Sequence, residues 1–295
     1  MECQTKHNYS MIIVDYNTIA ATVGYIKYCK SALISKGNIE YIIVDNSEDA
    51  SGFEYLKQYY ELSPVKEMDK GQIYSFELEG ISVYYYATYE NLGYAKGNNL
   101  GAELSYSLFG DSILVFSNND ILFEGKLNLD IAGDKFTKDV IVVGPDILEG
   151  DKHLNPMYKK SIMNCLYGNM VKALRNKIEN HYTFSGCFWF FDSILFGKVG
   201  GFDPNTFLYF EEYIIEERIR RAGLKMVYCP EVSVIHNHDY KSETPQHFEK
   251  VSRIFLKSLC YYAREYKGVS NIKMGFIKYP YLIILKLFVL LKHIL

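Results

Sequence analysis

Several things are scarce in this sequence, and each scarcity removes a class of protein. Six of its 295 residues are cysteine, at 3, 29, 165, 187, 229 and 260, and no two form a C-x-x-C pair. Structural zinc sites need closely spaced ligand pairs and secreted scaffolds need dense cysteines, so neither fits. Reduced, mostly buried thiols in a cytoplasmic protein are expected instead. The one apolar run near the start, residues 11–14, follows polar residues and lacks the charged start and the length of a signal peptide. There is no internal repeat and no low-complexity linker. A single tryptophan stands against 27 tyrosines and 18 phenylalanines. Aromatic faces suit sugar clefts, but a compositional habit explains the excess equally well.

Charge is nearly balanced overall, at −3, and unevenly placed. From residue 241 onward ten Lys/Arg face three Glu, a local +7, so the preceding 240 residues carry −10. Nucleic-acid binders normally have a basic body, so no nucleic-acid partner is expected. A basic tail on an acidic body suits a membrane surface.

In the first half, β-branched runs alternate with helical patterns. Strands are expected over residues 11–15, 39–44, 81–87 and 112–116, and helices from about 18 to 35, 52–62 and 95–108, with a polar loop after the second helix. This alternation predicts an α/β fold with a mostly parallel, Rossmann-like central sheet flanked by helices. Ligands of such sheets bind at the strand C-termini. Polar residues fall there: Asp15-Tyr16-Asn17, Asp45, Asn91-Leu92-Gly93 and Ser117-Asn118-Asn119-Asp120. Each alone is equally well a cap or a turn residue.

The second half reads less regularly. A strand is expected over residues 140–143, then a long polar loop, 145–164, of the kind that carries acceptor contacts. A strand over 182–191 contains Gly186. A helix over 212–222 follows, then short strands, 226–228 and 232–235, around Pro230. Glu211 and Glu212 stand side by side where loop becomes helix, and His236 and His238 follow the last strand. A carboxylate at such a junction can take a proton from a hydroxyl, and a strand-end histidine can ligate a metal or touch a phosphate. The bland reading makes both glutamates dipole-favoured N-terminal acids, with Glu216–Arg220 and Glu217–Arg221 as routine helix pairs, and both histidines ordinary surface residues.

The economical division is a catalytic domain over 1–240, with a nucleotide-binding half to about 120 and an acceptor-binding half to 240, and a basic helical tail over 241–295. The last sixteen residues span about 24 Å as a helix, short of the ~30 Å hydrocarbon core. Lys286, Lys292 and His293 fall within an arc of about 120° at 100° per residue. An amphipathic helix over 280–295 lying in the membrane plane is expected. Packing on the domain or on a homodimer partner is the alternative.

Eight motifs occur in order: I-I-V-D-Y-N (12–17), Y-I-I-V-D-N-S (41–47), N-L-G-Y-A-K-G-N-N-L-G (91–101), F-S-N-N-D (116–120), S-G-C-F (185–188), V-G-G-F-D (199–203), F-L-Y-F-E-E (207–212) and V-I-H (234–236). Together they resemble the family 2 glycosyltransferases, the large inverting group with the GT-A fold. The bacterial members that build rhamnose-, galactose- or N-acetylhexosamine-containing surface polysaccharides are the most alike. The resemblance implies transfer from a nucleotide-diphosphate sugar, UDP- or dTDP-linked, to a hydroxyl of a glycan or lipid-linked saccharide on the inner face of the cell membrane. It implies Glu212 as general base, with Glu211 orienting the donor sugar or the base. Asp15, Tyr16, Asn17, Asp45, Asn91, Gly93, Asn99, Asn118, Asn119 and Gly186 are implied in holding the nucleotide-sugar. Asp120 and His236 are implied as ligands of Mn²⁺ or Mg²⁺, the nitrogen leaning mildly to Mn²⁺.

Two positions depart from the pattern. Asn118 stands where the D-x-D motif has its first acid, which leaves less charge for a metal. Ile214 stands where many relatives carry another aspartate, which bears on the acceptor. A catalytically silent nucleotide- or glycan-binding subunit is the alternative. A nucleotidyltransferase is a second, although residues 15–22 lack its glycine-rich basic loop.

Overall fold

The computed structural model describes residues 6–168, 178–237 and 244–294. His238 lies outside the described residues, as do the side chains of Lys292 and His293. The first half is built of β1 (Tyr9–Asp15), α1 (Ile19–Ala32), β2 (Leu33–Ile34), β3 (Ile39–Asp45), α2 (Ser51–Tyr59), β4 (Ser63–Met68), β5 (Gly71–Leu78), β6 (Ile81–Ala87), α3 (Gly93–Phe109) and β7 (Ile113–Ser117). The second half adds β8 (Ile121–Leu122), β9 (Leu127–Asn128), α4 (Asp130–Gly133), β10 (Val140–Glu149), β11 (Lys152–His153), β12 (Met157–Lys160) and α5 (Ile162–Tyr167). It continues through β13 (Ile178–Thr183), β14 (Phe188–Asp192), α6 (Ser193–Lys198), α7 (Glu211–Arg221), β15 (Lys225–His236), α8 (Pro245–Glu265) and α9 (Asn271–Ile294).

One large mixed sheet runs β4-β5-β6-β3-β1-β7-β14-β10-β15-β8. The segment β6-β3-β1-β7 is parallel, as the alternation of runs and helices predicts. Beyond it β14 pairs antiparallel with both β7 and β10, and β10 runs parallel to β15. In β1 alternate side chains go to opposite faces: Tyr9, Met11 and Ile13 join the core under α1, while Ile12 joins the core under α3. Burial on both faces is why these strands read as continuous apolar runs.

Helix α3 lies unusually close to the sheet. A Cβ on Gly101 would fall 2.3 Å from Ile12 Cγ2, so only glycine permits that approach. A third core joins α7, α8 and α9 through Phe210, Ile214, Leu256, Leu259, Tyr262 and Met274. Beneath it Lys159, fully buried, donates to Glu216 at 2.6 Å and Glu217 at 2.9 Å. Burial pushes Glu217 up, but the Lys267 and Lys159 ammonium groups prevail and hold it at about 2. These two glutamates therefore anchor α7 to β12 and to the end of α8, beyond their pairing with Arg220.

Four expectations need correction. The polar loop after α2 is the β4–β5 hairpin on the sheet's edge; β4 is exposed along nearly its whole length, so no alternation marks it. The loop expected over 145–164 begins as strand, because β10 continues through Pro145 to Glu149, and β11, β12 and α5 follow. Pro145 is tolerated because the register with β15 breaks there, Pro145 pairing Cys229 and Asp146 pairing Ser233. The same irregularity absorbs Pro230, so β15 is one strand. Residues 182–191 divide into β13 and β14, with Phe184–Cys187 crossing between them.

Candidate active site

The C-terminal ends of β1, β3 and β7 lie side by side, with Asp15 directly opposite Asp45. Both carboxylates are turned inward, each 1% exposed. Asp15 accepts from the Thr18 amide at 3.1 Å and from the Thr18 and Thr22 hydroxyls. Burial raises its pKa against the pull of those bonds. Asp45 accepts from the Tyr85 hydroxyl at 2.7 Å and from the Ser47 amide at 2.9 Å. These bonds fix the two strand ends. Tyr16 and Asn17 are exposed, Asn17 in a left-handed conformation with φ 58°. A cleft of about 230 Å³ opens here, lined among others by Tyr16, Asn46, Asn91, Gly93, Asn98 and Asn118.

Two other expected residues make hydrogen bonds within the scaffold. Asn99 clamps Phe202 by accepting from its amide at 2.9 Å and donating to its carbonyl at 2.8 Å. It lines a separate cleft of about 650 Å³ beside α6, and neither Glu212 nor Asp120 is among the lining residues of either cleft. Asn119 donates to the Thr18 and Thr22 hydroxyls, tying the start of α1 to the end of β7.

Past β7 the chain turns into β8, which pairs with the end of β15 so that Ile121 faces His236. This sets Asp120 Oδ1 3.5 Å from His236 Nε2. On the other side of the ring, Glu149 at the end of β10 lies 3.1 Å from Nδ1. The Asp120 contact raises the His236 pKa, burial opposes it, and Glu149 adds to the rise. Glu149 was not legible from sequence, because β10 read as ending six residues earlier. Its carboxylate can fix the ring by accepting the Nδ1 proton, leaving Nε2 for a metal. Among the described residues no three His, Cys, Asp or Glu side chains form a preassembled metal cage. One carboxylate and one oriented imidazole fit a divalent cation whose remaining ligands are substrate oxygens.

The third wall is the start of α7. Tyr209 and Phe210 precede it with φ 73° and 72°, a left-handed conformation costly for aromatic residues. The segment is pinned to α3, for Tyr94 N donates to Phe207 O at 2.9 Å. A Cβ on Gly93, φ 74°, would sit 2.1 Å from that same oxygen. Glu212 Oε1 faces the Gly186 amide at 3.3 Å, and its carbonyl accepts from Thr183 Oγ1 at 2.8 Å. Tyr94 donates to Gly186 O at 2.6 Å and accepts from Trp189 Nε1 at 3.1 Å. Glu211 is buried, and its Oε1 has no hydrogen-bond partner among the described residues. Burial and the adjacent Glu212 push its pKa up to about 8, and burial raises Glu212 as well. The pair therefore retains a proton near neutrality. Ile214 is fully buried in the third core.

The segment 185–187 joins the two charged walls. Asn118 N donates to Cys187 O at 2.8 Å, and Gly186 meets Glu212. Burial pushes the Cys187 thiol up to about 12, and both the Asp120 and Glu212 carboxylates add to the rise. Asn46 Nδ2 in turn donates to Gly93 O at 3.1 Å, closing the circuit to the end of β3.

No protein-family model matches the sequence, and no curated protein does. Solved structures do. A mannosyltransferase from Pyrobaculum calidifontis, PcManGT, in complex with GDP-Man and Mn²⁺, superposes with a TM-score of 0.51 at 12% identity, over 98% of this chain and 87% of that one. GalNAc-T7 with UDP, GalNAc and Mn²⁺ matches over 88% of this chain and 50% of its own, at 15% identity and a TM-score of 0.49. S. aureus TarS matches over 93% and 43%, at 11% identity and 0.47. This chain therefore spans half or less of the last two. The fold is a mixed α/β architecture similar to the GT-A fold.

Proposed function

We propose that the protein is an inverting glycosyltransferase that moves a sugar from a UDP- or dTDP-linked donor to a hydroxyl of a glycan or lipid-linked saccharide, in surface polysaccharide synthesis at the cytoplasmic membrane face. The observation that carries this reading is the segment 185–187, which has the Glu211–Glu212 pair on one side and the Asp120–His236 pair on the other. Tyr16, Asn17, Asn46 and Asn118 present polar edges to base and ribose. Asn91 and Gly93 open the N-terminus of α3 toward the diphosphate.

A divalent cation held by Asp120 and His236 would neutralise charge gathering on the departing diphosphate. Glu212, ionised, takes the proton of the acceptor hydroxyl. That oxygen bonds to the anomeric carbon from the face opposite the carbon–phosphate-oxygen bond, which breaks and releases the nucleoside diphosphate with inversion. Glu211 keeps its proton, which spares the site a second negative charge beside Glu212. Glu149 holds the His236 ring.

The test is nucleoside diphosphate release from a panel of UDP- and dTDP-sugars with Mn²⁺, together with thermal shift by the free diphosphates. The reading expects release by the wild-type chain and loss of it in Glu212→Gln with binding retained. Binding without release in both proteins would instead mark a silent nucleotide-binding subunit.

A further inference from the structure

Helix α9 is apolar on two opposite sides. Its inner side packs into the third core, with Met274, Leu285 and Val289 buried and the Ile277 carbonyl accepting from Tyr167 Oη at 2.8 Å. Its outer side carries Ile272, Phe276, Tyr279, Ile283 and Leu287, which are 55–79% exposed. At 100° per residue these five fall within an arc of about 80°, over a length of about 22 Å. No described residue covers them. A globular surface helix has one apolar stripe, and a second one this long faces a partner.

Charge identifies that partner. Helix α9 has no acidic residue, and Lys273 and Lys286 flank the outer stripe at roughly 80° and 60° from its centre. The chain from residue 241 onward carries +7, while the remainder carries −10. Self-pairing of two copies through this face would set lysine against lysine. A surface that is negative above and apolar beneath takes both features: the stripe enters the boundary between headgroups and acyl chains, and the lysines reach back to the headgroups. Pro280 removes one backbone N–H from the outer side, which frees the Phe276 carbonyl for headgroup-level water. No helix among the described residues is long and apolar enough to cross a membrane.

We infer that the outer face of α9 docks the protein in the plane of an anionic lipid bilayer, through Ile272, Phe276, Tyr279, Ile283 and Leu287 with Lys273 and Lys286 at the margins. Because α9 and α8 share a core with α7, docking would hold the glutamate-bearing end of α7 at a fixed place relative to the lipid. The inference stands apart from the transferase reading, since lipid binding is measured without turnover.

The experiment is sedimentation of the full chain with vesicles of phosphatidylcholine, with and without phosphatidylglycerol, alongside sedimentation velocity without lipid. The wild-type chain is expected to bind the anionic vesicles at least tenfold better than neutral ones, and less as salt rises. F276S/I283S is expected to lose at least tenfold in vesicle binding, with far-ultraviolet circular dichroism and melting unchanged because both side chains are exposed. K273Q/K286Q is expected to lose most of the preference for anionic lipid. The inference is overturned if the wild-type chain ignores both vesicle types or F276S/I283S binds as the wild type does. It is equally overturned if the wild-type chain is a dimer that F276S/I283S converts to monomer without changing vesicle binding.

Discussion

Two pairs of neighbouring carboxylates differ in what surrounds them. Asp15 and Asp45 sit at neighbouring strand ends, and each is bonded by nearby hydroxyl or amide groups. Glu211 and Glu212 sit at a helix start, where one Glu211 oxygen has no partner among the described residues and Glu212 meets the Gly186 amide at 3.3 Å. Burial costs a carboxylate heavily unless its oxygens are satisfied. The aspartate oxygens are satisfied by the fold. The Glu211 oxygen without a partner lies beside Tyr209 and Phe210, whose backbone is itself strained.

The sharpest way to break this contrast is Glu212→Gln. Loss of a general base lowers turnover by about 10²–10⁴-fold, read as nucleoside diphosphate release, with melting behaviour kept. Next in size is Glu149→Ala, which frees the His236 ring; Mn²⁺ affinity, measured by electron paramagnetic resonance with a nucleoside diphosphate present, should fall about 10–100-fold. Wild-type affinity in that variant would reduce Glu149 to a surface contact.

Asp45→Ala should act on stability first. It orphans the buried Tyr85 hydroxyl at a cost of about 1–3 kcal/mol, measured by urea unfolding. Glu211→Gln should have an effect confined to a pH window. Glu211 binds a proton to about pH 8 when folded and to about its ordinary 4.5 when unfolded. Between those values the native state binds more protons, so stability falls as pH rises through the window. The glutamine variant lacks that slope: it should match the wild type near pH 4.5 and be the more stable of the two above pH 8. Parallel melting curves across that range would mean Glu211 is not held neutral.

The contrast also marks what the sequence made legible. The strands β1, β3, β6 and β7 are readable because burial on both faces leaves β-branched runs, and F-L-Y-F-E-E is readable because no ordinary helix start explains its aromatic lead. Side-chain direction was not. Asp15 and Asp45 occupy the positions of ligand-binding acids, yet their hydrogen bonds turn them inward. Asn99 is one residue from cleft-lining Asn98, and helical rotation alone carries it to another face. Glu149 was hidden by Pro145, whose strand position depends on a bulge in the partner strand. Helix α9 continues through Pro280, which on sequence alone reads as a helix start.

The central claim is that one cleft holds both the Asp120–His236 pair and Glu212. A crystal structure with Mn²⁺ and a non-hydrolysable UDP- or dTDP-sugar analogue tests it most directly. The account predicts the metal bound by Asp120 and His236, the diphosphate near the start of α3, and the sugar's anomeric carbon facing Glu212. An analogue lodged instead in the cleft beside α6, against Asn99 and Gly201, would contradict it.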